Sequence, residues 1–170
     1  MPILMRQLIP STKGFAPSVT AMPIRLIVGY GFMEHGFAKL GRGVDGFAHI
    51  LQAIGMPFSS LLAWSTVLIE ILGGLAILLG AFVALASIPM AIVLIVAILT
   101  VHFPNGFSSI KLQSFGPDGA HFGQPGYECD LLYLAGLAAL VLGGAGPLSI
   151  DRLISHTLGR ETETLPHQGR

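Results

Sequence analysis

Long apolar stretches separated by short polar breaks dominate the chain. A helix needs about 20 mostly apolar residues to cross a bilayer, at a rise of 1.5 Å per residue. We predict four such helices, over residues 18–40, 58–79, 82–102 and 127–142. The pattern therefore indicates an all-α fold, namely an integral membrane four-helix bundle.

A shorter segment lies between the first two stretches. Its apolar residues recur at helical spacing, and they are Val44, Phe47, Ile50, Leu51 and Ile54. The segment is too short to span a bilayer, and Gly55 and Pro57 end it. We predict a short amphipathic, interfacial helix between helices one and two, lying at the membrane surface.

Three further segments lack the composition of a spanning helix. Residues 1–17 have no continuous apolar core, so we interpret them as an N-terminal leader and not as a signal peptide. Residues 103–126 show no periodicity and predict a long ordered loop, which is often a functional feature. Residues 148–170 form a polar C-terminal tail, which leaves residues 18–147 as the transmembrane domain.

The distribution of basic residues predicts the orientation. An even number of spans places both termini on one side, together with Arg6, Lys13, Arg152, Arg160 and Arg170. The opposite side holds Lys39, Arg42 and Lys111. Because basic residues are enriched on the cytoplasmic side, we expect both termini to be cytoplasmic and the protein to lie in a cell membrane.

Composition excludes several classes of protein. The chain is 52% hydrophobic and 11% charged, whereas soluble domains carry about a quarter charged residues. Nine basic and nine acidic residues give a net charge of zero, so nothing indicates a nucleic-acid partner, which needs a clustered basic surface. Cys129 is the single cysteine, which excludes a paired-cysteine redox site within the chain.

Two charges fall inside predicted spans at similar depth. Charged groups in a membrane usually face the bundle interior and pair with one another. Counted from predicted ends at Leu40 and Phe58, Arg25 and Glu70 lie roughly 22 and 18 Å deep. We predict a buried Arg25–Glu70 ion pair, which would either fix the helix register or contribute to a proton path or an anionic head-group site.

A second polar group collects near the opposite membrane surface. Its members are Glu34, His35, Lys39, His102 and Glu128. Histidine can donate to a carbonyl near neutral pH, so a quinone or similar ligand is one interpretation of this interfacial cluster. Capping of helix ends by the histidines is another. Ligation of a metal by His35, His102 and Glu128 lacks supporting spacing, so we predict no metal site.

An ordered series of short motifs runs along most of the chain. Helix one carries Arg25, Gly29, Phe32, His35, Gly36 and Lys39, and Gly55 and Pro57 precede helix two. Later members are Glu70, Gly73, Gly74, Gly80, His102, Gly106, Phe107, Gly126, Glu128, Gly143, Gly146, Ser149 and Asp151. Over roughly residues 24–154 this series resembles the DoxX family of small membrane proteins. Relatives often carry Thr-Arg in the turn after helix two, whereas residues 80–84 here are uncharged.

The resemblance implies a four-helix fold in a bacterial cytoplasmic membrane. Some relatives form the quinone-reducing membrane subunit of a thiosulfate oxidoreductase. Others are linked to oxidative-stress complexes with superoxide dismutase and a sulfurtransferase.

Three functional hypotheses remain open at this point. The first is a membrane subunit of a quinone- or sulfur-linked redox system, in which electrons come from a partner because the chain has no haem, flavin or iron–sulfur signature. No intrinsic cofactor is then expected, and quinone is the expected ligand. The second is a non-enzymatic scaffold that recruits soluble redox proteins through the tail and the long loop. The third is a small transporter, which would have to form a homo-oligomer. No catalytic residue can be assigned for any of them.

Overall fold

The computed structural model describes residues 19–163 and is mostly helical. The predicted leader and the last seven residues of the tail lie outside the described residues. Consecutive helical segments combine into α1 (Ala21–Arg42), α2 (Val44–Ala53), α3 (Ser59–Leu79), α4 (Val83–Asn105), α5 (Glu128–Gly143) and α6 (Ile150–Glu163). Helices thus occur in each predicted stretch, with ends that differ by about one turn or less.

Two elements depart from the sequence prediction. The predicted long loop contains an antiparallel hairpin of β1 (Leu112–Gly116) and β2 (Gly119–Phe122). The predicted polar tail contains α6. The hairpin was missed because short strands give weak periodic signals, and α6 was missed because its polar composition is also typical of a tail.

Two helices, α3 and α4, are long and apolar enough to cross a membrane by length and composition. Only 28% and 22% of their most apolar windows are buried inside the protein. Their apolar side chains therefore face outward, as lipid-facing helices do and as core helices of soluble proteins do not. Helices α1 and α5 do not meet both of these conditions, because α1 contains several charged residues and α5 is only 16 residues long.

Helices α1 and α3 pack against each other in antiparallel directions through glycines. A Cβ on Gly74 would lie 2.6 Å from the Gly29 carbonyl oxygen, and a Cβ on Gly29 would lie 2.7 Å from the Gly74 carbonyl oxygen. Further along α1, Gly36 lies against Glu70. Small residues at these positions let the two backbones approach closely.

The buried apolar residues form two clusters. The larger joins α1, α3, α4 and α5, and its members are Ala21, Val28, Phe32, Ile77, Val83, Met90, Leu94, Leu137 and Leu140. The smaller joins α2 to the first half of α3, through Val44, Ala48, Leu51, Ala63 and Val67. The short helix α2 is therefore a packed part of the bundle and lies alongside α3.

Helices α3 and α4 each contain a π-helical segment. In α3 it spans Ile69–Gly73, and in α4 it spans Ile98–His102. A π turn holds an extra residue and rotates the side chains that follow it, and such turns are frequent at functional sites. These two segments bring polar side chains to one region of the bundle.

The glycine contact between α1 and α3 yields a stability prediction. Gly74→Ala should lower the thermal unfolding midpoint in detergent, because overpacking costs about 1–3 kcal/mol and exceeds the gain in helix propensity. The matched control is Gly41→Ala, which also lies in a helix, α1, but where no atom lies within 4 Å of the new Cβ. Equal midpoints for the two variants would contradict the close approach.

Candidate functional site

The charge of Glu70 is satisfied by Lys39. The Lys39 Nζ donates to both carboxylate oxygens of Glu70 at 2.7 Å. The Glu70 side chain is 6% exposed and the Lys39 side chain 24%. Lys39 also lies 5.3 Å from the centre of the Phe47 ring of α2, a cation–π contact that helps to orient it. Within the described chain, the predicted Arg25–Glu70 ion pair is therefore wrong.

The correction has a geometric cause. The prediction placed the start of α3 level with the end of α1, but the first half of α3 packs along α2 instead. Glu70 consequently lies level with Gly36, three turns of helix or about 16 Å from Arg25. Lys39 is one turn from Gly36, and its long side chain reaches the carboxylate.

A cavity of about 390 Å³ opens beside this ion pair, between α2, α3 and α4. Its walls are mainly aliphatic, and its polar lining includes Lys39, Glu70, Thr66, Thr100 and His102. Glu70 belongs to the π segment of α3, and Thr100 and His102 belong to the π segment of α4. A concave apolar space with a few convergent polar groups is the usual form of a small-molecule site.

His102 connects the cavity to a second polar centre on α5. Its Nε2 lies 3.9 Å from Asp130 Oδ2, and its Nδ1 lies 3.2 Å from the Pro125 carbonyl oxygen. Because a carbonyl oxygen only accepts, Nδ1 carries a proton in this hydrogen bond. The other ring nitrogen, Nε2, then faces the Asp130 carboxylate across 3.9 Å, which is longer than a hydrogen bond.

Asp130 also interacts electrostatically with His35 of α1. The His35 ring lies 6.4 Å from the Tyr133 ring, one turn further along α5. The Asp130 side chain is only 14% exposed, so it is not the solvated helix-end residue that its position after Glu128 suggests. Sequence reasoning missed Asp130 because a carboxylate at a helix N-terminus usually serves the helix dipole.

The remaining members of the predicted interfacial cluster lie elsewhere. Glu34 is exposed and interacts with the Tyr30 side chain, one turn earlier on α1. Glu128 accepts a hydrogen bond from the Ser109 backbone N–H at 2.9 Å. The cluster is therefore divided, with Lys39 and His102 at the cavity and His35 behind Asp130. In residues 19–163 no group of three or more His, Cys, Asp or Glu side chains could hold a metal ion.

Arg25 closes the other end of the bundle. Its guanidinium is buried and donates to backbone carbonyl oxygens of α3 and of the α5–α6 connection. The acceptors are Ile77 at 3.1 Å, Leu78 at 2.7 Å, Ala145 at 3.1 Å, Pro147 at 3.4 Å and Leu148 at 3.3 Å. Backbone carbonyls at the end of α3 and in the α5–α6 connection thus satisfy the arginine.

Asp151 completes this end of the bundle. Its carboxylate accepts hydrogen bonds from the Phe82 and Val83 N–H groups at 2.6 and 3.0 Å, which caps α4. Its own N–H donates to the Gly80 carbonyl oxygen at 3.0 Å. The start of α1, the α3–α4 turn and the α5–α6 connection therefore meet around Arg25.

The Lys39–Glu70 pair predicts reciprocal rescue. Lys39→Met and Glu70→Met should each destabilise the protein by about 3–5 kcal/mol, because each leaves one buried charge alone. The double variant should recover most of this loss, as measured by thermal unfolding in detergent. Arg42→Met removes an exposed charge and serves as the control. Rescue of Glu70→Met by Arg25→Met would instead support an Arg25–Glu70 pair.

Arg25 predicts sensitivity to a conservative change. Arg25→Lys should lower stability by at least about 2 kcal/mol, because an ammonium has fewer donors and charged hydrogen bonds are worth about 1.5–3 kcal/mol each. The matched control is Arg152→Lys at an exposed position. Identical unfolding midpoints for both variants would show that the carbonyl contacts contribute little.

Known proteins are similar to this chain over most of its length. The DoxX family model matches residues 20–103, which include Arg25, Lys39, Glu70 and His102. A Mycobacterium tuberculosis protein named as an uncharacterized membrane protein is 31% identical over 146 residues, covering 82% of each chain. An uncharacterized Haemophilus influenzae protein is 25% identical, covering 84% of this chain and 87% of its own.

A third relative has a functional name. The Bacillus subtilis protein "Putative oxidoreductase CatD" is 33% identical over 84 residues, which cover 49% of this chain and 60% of that protein. No solved structure matches the chain. The family model, the full-length relatives and the two apolar helices agree, and the chain belongs to the DoxX family of membrane proteins.

Proposed function

We propose that this protein is a four-span inner-membrane subunit of a quinone- or sulfur-linked redox system. In this role, the cavity beside Lys39 and Glu70 receives the head group of a quinone. The observation that carries the proposal is the combination of aliphatic walls, the Lys39–Glu70 pair and His102 around one cavity in a helical membrane protein.

Packing supports four spans formed by α1, α3, α4 and α5. Helix α1 lies antiparallel along α3, so if α3 crosses the bilayer, α1 lies within it too. Two of the charges inside α1 are satisfied within the protein, since Arg25 bonds carbonyls and Lys39 bonds Glu70, whereas Glu34 is exposed in the half of α1 nearer Arg42. Helix α5 extends from the His102 region to the Arg25 region, a rise of about 24 Å, and its flanking turns supply the remaining depth.

The same geometry supports the proposed orientation. The start of α1 and the start of α6 lie at the Arg25 end of the bundle, so the first and the last described helix both begin on one side. Arg152 lies in α6 at this end, and the sequence adds Arg6, Lys13 and Arg170. By the positive-inside rule this end faces the cytoplasm, and the cavity lies toward the outer half of the membrane.

The chemistry of the cavity suits a quinone. Its volume of about 390 Å³ lies within the range of ligand pockets, and aliphatic walls would cover the ring and the first part of the tail. Lys39 has three N–H donors and Glu70 uses two of them, which leaves one for a ligand carbonyl. Reduction of a quinone takes up two electrons and two protons, and His102, which lines the cavity 3.9 Å from Asp130, is the group positioned to pass a proton to the ligand.

Electrons would come from a soluble redox partner. The B. subtilis relative that is named as an oxidoreductase aligns with about half of this chain, which supports a redox role. The alternative role is a non-enzymatic scaffold for the same class of partner. A ligand-binding experiment distinguishes this role from the quinone-linked one.

Titration with a short-chain ubiquinone or menaquinone analogue tests the proposal. The purified protein should bind the analogue saturably in nanodiscs. Ala97→Phe places a ring in the cavity and should weaken binding at least about tenfold, because a filled pocket loses contacts worth about 1.4 kcal/mol or more. His102→Ala should weaken it less.

The matched control is Leu99→Phe, a substitution of an outward-facing residue on the same helix. Its affinity should equal that of the unmodified protein. Absence of saturable binding, or equal affinity of the Ala97→Phe and Leu99→Phe variants, would contradict the quinone site and favour the scaffold.

A further inference from the structure

The hairpin of β1 and β2 has one apolar and one polar face. Leu112 pairs with Phe122, and Phe115 pairs with Ala120. Leu112 and Phe115 are three residues apart, which would put them on opposite faces of a regular strand. The irregularity between Leu112 and Ser114 adds one residue to β1, so both side chains point the same way.

The apolar face is uncovered in the described chain. Leu112 and Phe122 are each 60% exposed and Phe115 is 80% exposed. The opposite face carries Ser114 and His121 as a pair. Three adjacent large apolar side chains in water are unfavourable, at about 25 cal/mol per Å² of apolar surface, and such a patch usually marks an interaction surface.

The base of the hairpin carries a signature of the membrane interface. The rings of Phe103 and Tyr127 stack with centres 6.1 Å apart, and Phe107 contacts Tyr127 edge-on at 5.7 Å. Phe103 and Phe107 are more than half exposed. Aromatic residues concentrate at the lipid head-group level, and this cluster lies where α4 ends and α5 begins.

The backbone of the connecting ribbon is internally paired. Gly123 N–H donates to Lys111, Gly126 N–H to Ser108, and Glu128 N–H to Phe107. A segment at a bilayer surface needs this, because unpaired backbone groups are costly there. Neither strand contains an acidic residue, and the charge of Asp118 in the turn is offset by Lys111 directly before β1, so the hairpin has no net charge that would repel anionic lipid head groups.

We propose that the hairpin lies on the bilayer beside the bundle, with its apolar face inserted among the lipid head groups. The partner is the lipid surface on the side of the membrane where His102 lies. This inference depends on the exposure and register of the hairpin, and it does not depend on a quinone in the cavity.

Tryptophan fluorescence tests the proposal in the full-length protein. Trp64→Phe removes the single native tryptophan, and Phe115→Trp then reports from the apolar face. In vesicles of phosphatidylcholine and phosphatidylglycerol, lipids brominated on the upper acyl chain should quench this tryptophan strongly, and aqueous iodide should quench it weakly. The matched variant, His121→Trp in the same background, should show the reverse preference.

Phe122→Trp gives an independent reading from the apolar face and should behave like Phe115→Trp. Circular dichroism and the unfolding midpoint check that each variant is folded. Strong iodide quenching and no bromolipid quenching at both positions 115 and 122 would overturn the proposal. That result would show that the hairpin projects into water, where a soluble protein or a second copy of this chain would cover it.

Discussion

Every charge inside a lipid-facing bundle has to find its counterpart within the protein, because the bilayer offers neither water nor ions. Two centres meet this requirement at different levels of the molecule. Arg25 is satisfied by backbone carbonyls at one end, and Lys39 and Glu70 satisfy each other further along α1 and α3. The helix order, the glycine contact and the turn at Gly80 are all compatible with these two centres.

The two centres have different consequences. Arg25 is surrounded by carbonyl oxygens from two chain segments, the end of α3 and the α5–α6 connection, and Ser149 in this connection and Asp151 in α6 lie close to it. A side chain at Gly80 would collide with both Arg25 and Ser149, which explains the glycine in this turn. This end is closed and structural, whereas the Lys39–Glu70 pair borders a cavity and retains a free donor.

The cavity lies where regular α-helix is interrupted in both α3 and α4. The π segments of α3 and α4 turn Glu70 and His102 toward the same space, while α2 closes it from the side with Phe47 and Leu51. Beyond His102, Asp130 and His35 extend the polar contacts to α5 and α1. A ligand in the cavity would therefore contact an ion pair on one side and the His102 ring on the other.

The sequence by itself determined the helical membrane character, the approximate position of each helix and the DoxX resemblance, since these depend on the number and spacing of apolar residues and on ordered local motifs. It also singled out Arg25, Lys39, Glu70 and His102. Only the tertiary structure decided which of them meet. Which charged side chains pair depends on the register between α1 and α3, and this register is shifted because α2 packs along the first half of α3. It also depends on the π turns, which leave no periodic signal in the sequence. The tertiary structure also decided which side chains share a face of the β-hairpin, because the one inserted residue in β1 reverses the direction of every side chain after it.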